Sequence, residues 1–219
     1  LGPVVVFAAS NFPLAFSTAG GDTASALAAG NPVIVKAHRA HPGTSAMIGT
    51  AVVKAAERTG MPDGVFSLLH GSGEVVGQGL VKHPKIKAAG FTGSQKAGRL
   101  LYDLANQRVE PIPFFAEMGS VNPVLLLPSG LNQKTVAMLA GSITMGVGQF
   151  CTNPGIIISL EGAGLTEFIN QLGDELSNVT PDVMLTEQIC KSYNQEVESL
   201  LTHKEITLEA RADNSKNDN

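Results

Sequence analysis

The feature that most constrains this chain is a series of short, uninterrupted apolar runs separated by stretches with helical spacing. The runs fall at residues 4–7, 32–36, 65–69 and 86–91, and helical patterns follow them at residues 13–29, 44–60, 73–81 and 94–107. Strands that are apolar on both faces belong to a parallel sheet, because the helices that connect parallel strands cover both faces. Residues 1–116 are therefore predicted to form a Rossmann-like α/β unit.

A second α/β pattern follows Pro111 and Pro113. Strands are expected at residues 124–127 and 155–160, with a helix at residues 131–145 between them. The apolar stripe of a further helix comes next, at Leu165, Phe168, Ile169, Leu172 and Leu176. Residues 117–219 are interpreted as the incomplete beginning of a second α/β domain. Its polar end, residues 211–219, is expected to be a frayed tail.

Composition excludes several classes of function. The chain has 219 residues and a net charge of −4, from 15 Lys and Arg against 19 Asp and Glu, so it has no basic surface for nucleic acid. No apolar run reaches the ~18 residues of a membrane span, and no signal peptide begins the chain. The two cysteines are too few for a disulfide framework, which favours a reducing cytoplasm with a free thiol. No metal site is expected.

Cys151 is the candidate nucleophile. It lies after a helical pattern, in the glycine-rich segment Gly146-Val147-Gly148-Gln149-Phe150-Cys151-Thr152. Such a loop leaves a thiol reachable and close to backbone dipoles that favour the thiolate. A buried cysteine that only packs is the alternative. Cys190 lies in an otherwise helical stretch, and we assign it this packing role.

Two polar residues beside apolar strands have the chemistry of a general base and an oxyanion donor. Glu117 follows the pair Phe114-Phe115, and apolar surroundings raise the pKa of a carboxyl group, which suits a base. Asn11 lies between a strand and a helix, where its amide is able to donate to an oxyanion. On the residues alone, an exposed strand-end glutamate and a turn or N-cap asparagine remain open alternatives.

A phosphate site is suggested by the segment Phe91-Thr92-Gly93-Ser94, which connects a strand to a helix. Backbone N–H groups at a helix N-terminus bind anions, and glycine allows a close approach. The glycines do not form the usual G-x-G-x-x-G pattern, so an ordinary tight turn explains them equally well. Lys36 ends a strand, where α/β sheets bind ligands, although a solvated lysine is also common there.

Together these segments resemble the aldehyde dehydrogenase superfamily. That family carries five motifs in one order, which read here Asn11-Phe12-Pro13, Lys36, Phe91-Thr92-Gly93-Ser94, Glu117-Met118-Gly119-Ser120 and Gly148-Gln149-Phe150-Cys151. The spacing from Glu117 to Cys151 is also typical of the family. Two departures are Ser10, where the family usually has Trp, and Ser120, where it has a second Gly.

The resemblance implies that an aldehyde is oxidised to a carboxylic acid with NADP or NAD, through a thioester on Cys151. It implies that Glu117 is the general base and Asn11 an oxyanion donor, and that residues 117–219 are the start of the catalytic α/β domain. The implied cofactor contacts are Phe12, Lys36, His38, Arg39, Gly73, Gly93 and Ser94. The implied partner is a small-molecule aldehyde, and the full-length parent is expected to be a homo-oligomer.

Cofactor choice depends on Arg39. Many NAD-preferring relatives have Glu at this position, where a carboxylate repels the 2′-phosphate of NADP and a guanidinium pairs with it. The carboxylate of Glu74, in the loop after the third strand, is expected to offset part of the gain in NADP binding. We expect NADP to be accepted at least as well as NAD.

Three segments are similar to a subgroup that includes 2-oxoglutarate semialdehyde (2,5-dioxopentanoate) dehydrogenases and an NADP-preferring fatty aldehyde dehydrogenase. They are residues 9–13, His41-Pro42-Gly43-Thr44-Ser45 and residues 111–115. Complete family members have further chain on both sides, so this chain is expected to be a fragment with little activity of its own. Two alternatives are an inert nucleotide-binding fragment and a CoA-acylating relative, and Glu117 argues against the second.

Overall fold

The computed structural model describes residues 1–212 and divides the chain into two compact units. The first unit is Leu1–Gly119 and the second begins at Ser120, whereas the sequence pattern places the change after residue 116. The tail predicted for residues 211–219 lies outside the described residues from position 213 onward. No helix in the described part of the chain is both long enough and apolar enough to span a membrane.

A five-stranded parallel sheet forms the centre of the first unit. Its strands are β1 Val4–Phe7, β2 Val33–Lys36, β3 Phe66–Leu69, β4 Ala88–Thr92 and β5 Phe114–Glu117. They lie in the order β3-β2-β1-β4-β5, and every neighbouring pair is parallel. The predicted α/β class is therefore confirmed. The chain reverses its direction of winding between β1 and β4, and ligands bind α/β sheets at such switch points.

Helices connect these strands and cover both faces of the sheet. They are α1 Gly21–Ala28, α2 Pro42–Arg58, a π-helical turn Gly73–Gly77 that continues as α3 Gln78–Lys82, and α4 Gln95–Asn106. Alternate residues of β1 enter two separate cores. Val5 and Phe7 pack towards Leu101 of α4, whereas Val4 and Val6 pack towards the side of Leu27 in α1. Since every residue of β1 is buried, this strand is apolar throughout.

Two boundaries in the first unit differ from the prediction. Residues 13–20 form successive turns instead of the first half of a helix, because local bonds such as Gly21 N–H to the Ala15 carbonyl (3.2 Å) satisfy the backbone there. Helix α2 begins at Pro42, ahead of the expected caps Thr44 and Ser45. Proline is favoured in the first turn, where its missing N–H would have no helical partner.

The second unit contains a two-stranded parallel sheet, β6 Asn122–Leu126 and β7 Pro154–Ser159. Its helices are α5 Gln133–Thr144, α6 Leu165–Ser177 and α7 Glu187–Leu200. The core is formed by Leu126 of β6, Val136 and Leu139 of α5, and Phe168 of α6. The alternate strand residues are exposed: Leu125 is 73% exposed and Ile158 is 48% exposed. One face of this small sheet is therefore packed, and the other is an uncovered apolar surface.

Candidate active site

The carboxyl edge of the five-stranded sheet gathers most of the predicted site. Lys36, Thr92 and Glu117 end β2, β4 and β5. The remaining candidates lie in the loops that leave β1 to β4: Asn11, Phe12, His38, Arg39, Gly73, Gly93 and Ser94. Because parallel strands all end at the same edge, residues that are distant in the sequence share this edge. Cys151 lies in the second unit.

The loop that carries Asn11 is closed on itself. The N–H of Ala9 donates to the carbonyl of Phe16 at 2.8 Å, and the rings of Phe12 and Phe16 pack edge to face with centroids 5.5 Å apart. The carbonyl of Ala9 lies 2.7 Å from Nε2 of His41, whose Nδ1 lies 3.1 Å from the buried Ser45 hydroxyl. His41 therefore holds the base of the Asn11 loop, a contact that the sequence pattern did not reveal.

A group of cationic and imidazole side chains follows β2. Burial lowers the pKa of Lys36, and the nearby charge of Arg39 lowers it further. Burial also lowers the pKa of His38 to about 4, with smaller contributions from His41, Lys36 and Arg39. Within residues 1–212 no carboxylate pairs with Lys36 or Arg39. An anion bound here would offset the cost of burying this positive charge.

The turn from β4 to α4 is tightly built. Ser94 caps α4, its hydroxyl accepting from the N–H of Ala97 at 3.3 Å. A Cβ at Gly93 would lie 2.7 Å from the ring of Phe91, so a side chain at this position would require that ring to shift. Gly73 faces open space and begins the π-helical turn after β3. The first N–H groups of α4 and the open glycine are able to accommodate a phosphate-bearing ligand.

Glu117 does not have the apolar surroundings that we expected from the aromatic pair. It is exposed in the described chain, as is Phe115 at 70%, because both lie on the outer-facing positions of the edge strand β5, whereas Phe114 packs against the core. The expectation was wrong because residues alternate between the two faces of a strand. Aromatic neighbours in the sequence therefore did not bury this carboxylate.

Asp22, in the first turn of α1, is a second carboxylate near Glu117. A Cβ at Gly90 would lie 3.0 Å from its Oδ2, so the side chain rests on the backbone of β4. Desolvation raises the pKa of Asp22, and the nearby Glu117 raises it further. Sequence analysis missed Asp22, because an acidic residue in a first helical turn is common.

Cys151 is exposed and its thiol is free. It follows three consecutive residues in the left-handed region, Gly146, Val147 and Gly148, with φ values of 59°, 58° and 69°. Valine rarely adopts this conformation because of its β-branched side chain. Cys190 is half-buried in α7, where Nδ2 of Asn194 lies 3.7 Å from its sulfur. The two thiols therefore occupy different surroundings.

The carbonyl of Cys151 is held by side chains at the start of the second unit. It accepts from Nδ2 of Asn122 at 2.8 Å and from the hydroxyl of Ser120. The same Nδ2 lies 2.8 Å from the carbonyl of Asn153. The backbone around Cys151 is thus fixed to the beginning of β6.

Comparison with known sequences shows extensive similarity. The model of the aldehyde dehydrogenase family matches residues 1–202. The chain is 56% identical over 196 residues to alpha-ketoglutaric semialdehyde dehydrogenase 2 of Azospirillum brasilense, covering 88% of this chain and 37% of that protein. It is 48% identical over 207 residues to alpha-ketoglutaric semialdehyde dehydrogenase of Acinetobacter baylyi, covering 93% of this chain and 39% of that protein. The chain thus spans well under half the length of these relatives.

Solved structures show the same fold. An NAD-dependent benzaldehyde dehydrogenase from Corynebacterium glutamicum matches with a TM-score of 0.75 and 25% identity, over 92% of this chain and 44% of that one. The glyceraldehyde-3-phosphate dehydrogenase GapN from Methanocaldococcus jannaschii, complexed with NADP, matches with a TM-score of 0.78 and 25% identity, over 92% of this chain and 45% of that one. By its sequence and its fold, this chain belongs to the aldehyde dehydrogenase family.

Proposed function

We propose that this chain is part of a longer dehydrogenase, here called the parent enzyme, which oxidises 2-oxoglutarate semialdehyde to the dicarboxylic acid with NADP or NAD. The observation that carries this proposal is the identity of 56% to alpha-ketoglutaric semialdehyde dehydrogenase 2, over a region of 196 residues. The parent enzyme is proposed to act as a cytoplasmic homo-oligomer on a small-molecule aldehyde. Two free cysteines are consistent with a reducing compartment.

The edge of the first unit fits a nicotinamide dinucleotide. Lys36 and Arg39 supply positive charge without a carboxylate partner among the described residues. Gly93 and Ser94 lead into α4, and Gly73 leaves open space at the same edge. These residues would hold the phosphates and the adenosine ribose, with Phe12 and His38 beside them. When bound, the nicotinamide supplies the chemistry of hydride acceptance.

In the proposed reaction the thiolate of Cys151 adds to the carbonyl carbon of the aldehyde, and the carbonyl electron pair moves to oxygen. The amide of Asn11 and the backbone N–H of Cys151 stabilise this alkoxide, and such a donor contributes roughly 2.7–4 kcal/mol. Loss of hydride from the adduct leaves a thioester on Cys151.

Hydrolysis of the thioester is assigned to Glu117. Its carboxylate accepts a proton from water as the water oxygen adds to the thioester carbon, and the collapsing adduct releases the acid and the Cys151 thiolate. The exposed position of Glu117 leaves its carboxylate accessible to water.

The two cysteines provide the test. In the parent enzyme, Cys151→Ala is expected to lower kcat for aldehyde oxidation by roughly 10³-fold or more, as loss of a nucleophile does in other enzymes. Cys190→Ala is the matched control, because it removes a thiol from a helix without touching the Cys151 turn, and it should leave kcat near normal. Steady-state kinetics with 2-oxoglutarate semialdehyde measure both. Equal losses from the two variants would contradict the assignment.

A further inference from the structure

The side chain of Asn122 contacts two carbonyl groups of the turn at residues 150–153 that carries Cys151. Its Nδ2 lies 2.8 Å from the carbonyl of Cys151 and 2.8 Å from the carbonyl of Asn153. A side-chain amide has two N–H donors, enough to reach both carbonyl groups. The same Nδ2 also lies 3.3 Å from the hydroxyl oxygen of Ser120. Ser120 adds a third donor, because its hydroxyl also binds the Cys151 carbonyl. These side chains join the beginning of β6 to the backbone on both sides of Thr152.

The backbone held in this way has little regular structure of its own. Residues 150–153 form a turn, closed by the N–H of Asn153 donating to the carbonyl of Phe150 at 3.0 Å. Nδ2 of Asn153 donates to the carbonyl of Ile143 at 2.6 Å, which fixes the turn to the last residues of α5. The preceding segment includes Val147 in the left-handed region. Strained segments of this kind persist only where surrounding contacts determine them.

We infer that Asn122, assisted by Ser120, is a positioning residue that fixes the direction of the Cys151 thiol. The inference rests on the proposed role of Cys151 as nucleophile. Holding the carbonyl of Cys151 fixes the orientation of its residue on the turn, and with it the path along which sulfur approaches an aldehyde. A displacement of about 1 Å in a reacting group lowers rates by about 10²-fold. The addition of sulfur to the aldehyde is therefore the step whose rate should fall most when the hydrogen bonds from Asn122 and Ser120 are removed.

The substitution Asn122→Ala in the parent enzyme separates positioning from general stability. The rate of the first turnover, measured as the burst of reduced cofactor in stopped flow, should fall by about 10²-fold. The dissociation constant of the cofactor and the melting temperature should change little. Ser120→Ala removes only a hydroxyl, so it should slow the burst less and leave folding intact. It carries the test if Asn122→Ala does not fold.

Asn178→Ala is the matched control. Its Nδ2 also donates to a backbone carbonyl, that of Asp174 at 2.9 Å, but at the end of α6. It should leave the burst unchanged. A normal burst in folded Asn122→Ala would overturn the inference, as would a loss that accompanies equal weakening of cofactor binding. A burst that survives Cys151→Ala would overturn the nucleophile assignment and the inference with it, which distinguishes the two failures.

Discussion

Arg39 and Lys36 carry the positive charge at the end of β2. A carboxylate in place of Arg39 would repel a 2′-phosphate instead of pairing with it. Arg39→Glu in the parent enzyme is therefore expected to lower the ratio of kcat/KM for NADP to that for NAD by about 10-fold to 100-fold, the value of one charge-assisted hydrogen bond. Steady-state kinetics with both cofactors give this ratio. Glu74, at the start of the π-helical turn, is expected to offset part of the proposed preference for NADP.

A second arginine provides the control for this prediction. Arg58 lies in the last turn of α2, at the opposite end of the helix from the Arg39 turn. Arg58→Glu makes the same change in charge, and it should leave the cofactor ratio unchanged. If Arg39→Glu and Arg58→Glu give equal ratios, Arg39 does not contact the phosphate.

Single residues were predictable where their role depends on near neighbours in the sequence. Ser94 was expected to begin a helix because a helical pattern follows it directly, and it caps α4. His41, Asp22 and Asn122 were missed because each contacts a distant residue, namely the carbonyl of Ala9, the backbone of Gly90 and the carbonyl of Cys151. One sequence holds no signal for such pairs. For Glu117 the sequence left an exposed strand-end position open beside an apolar one, and the alternation of residues along β5 decides for exposure.

At the scale of elements, the turn between β2 and α2 makes stability depend on pH. The pKa of His38 falls from an ordinary 6.5 to about 4, chiefly through burial. Well above pH 6.5 His38 is neutral in both states. As the pH falls through 6.5 towards 4, His38 of the unfolded chain binds a proton that His38 of the folded chain does not bind. The parent enzyme should lose at most about 3 kcal/mol of unfolding free energy across this window through His38. Chemical denaturation at several pH values measures the loss.

Two histidine variants isolate this effect. Nδ1 of His38 accepts from the N–H of Ala40 at 3.1 Å, and Nδ1 of the exposed His83 accepts from the N–H of Lys85 at 3.2 Å. His38→Gln retains an acceptor but cannot bind a proton, so the dependence on pH should become flatter. His83→Gln should leave it as it was. An unchanged slope in His38→Gln would show that other groups cause the loss of stability in acid.

Most strands and helices followed from the spacing of apolar residues, and the exceptions have local causes. Each apolar run of the first unit became a strand because both of its faces are covered. The first helix was predicted too long, since small residues before Gly21 satisfy a helical pattern but form turns. Strand β5 was not predicted as a strand; the sequence showed only an aromatic pair before Glu117. Pro111 and Pro113, which precede it, obscured a strand that begins at Phe114.

At the scale of the whole molecule, the uncovered face of the β6–β7 sheet determines how this chain should behave alone. Leu125, Ile156 and Ile158 expose apolar surface that soluble monomers rarely leave open. We expect the 219-residue chain to associate and to show little or no dehydrogenase activity, as it spans 37% of the Azospirillum relative. Activity assays and light scattering, with the parent enzyme as reference, measure both properties.

Polar substitutions on this face provide the matched test of association. Leu125→Thr and Ile158→Thr retain side chains that suit a strand, and they leave the packed face around Leu126 unchanged. They should reduce association without restoring activity. Specific activity close to that of the parent enzyme would contradict the expectation for the isolated chain.

The parallel class of the five-stranded sheet followed from the sequence, but the order of its strands did not, because apolar runs do not specify which strands are neighbours.

The central position of β1 also determines when the proposed cofactor crevice forms as the chain is made. β1 is synthesised before both of its neighbours in the sheet; Val4 pairs on one side with Val33 and on the other with Ala88. The second pairing closes a much longer loop, and such long-range pairings form late. Until β4 is available, one edge of β1 has no partner and is open to pairing with other chains. The switch point between β1 and β4 is therefore completed late, and a nascent chain gains the proposed nucleotide crevice only after most of the first unit has been synthesised.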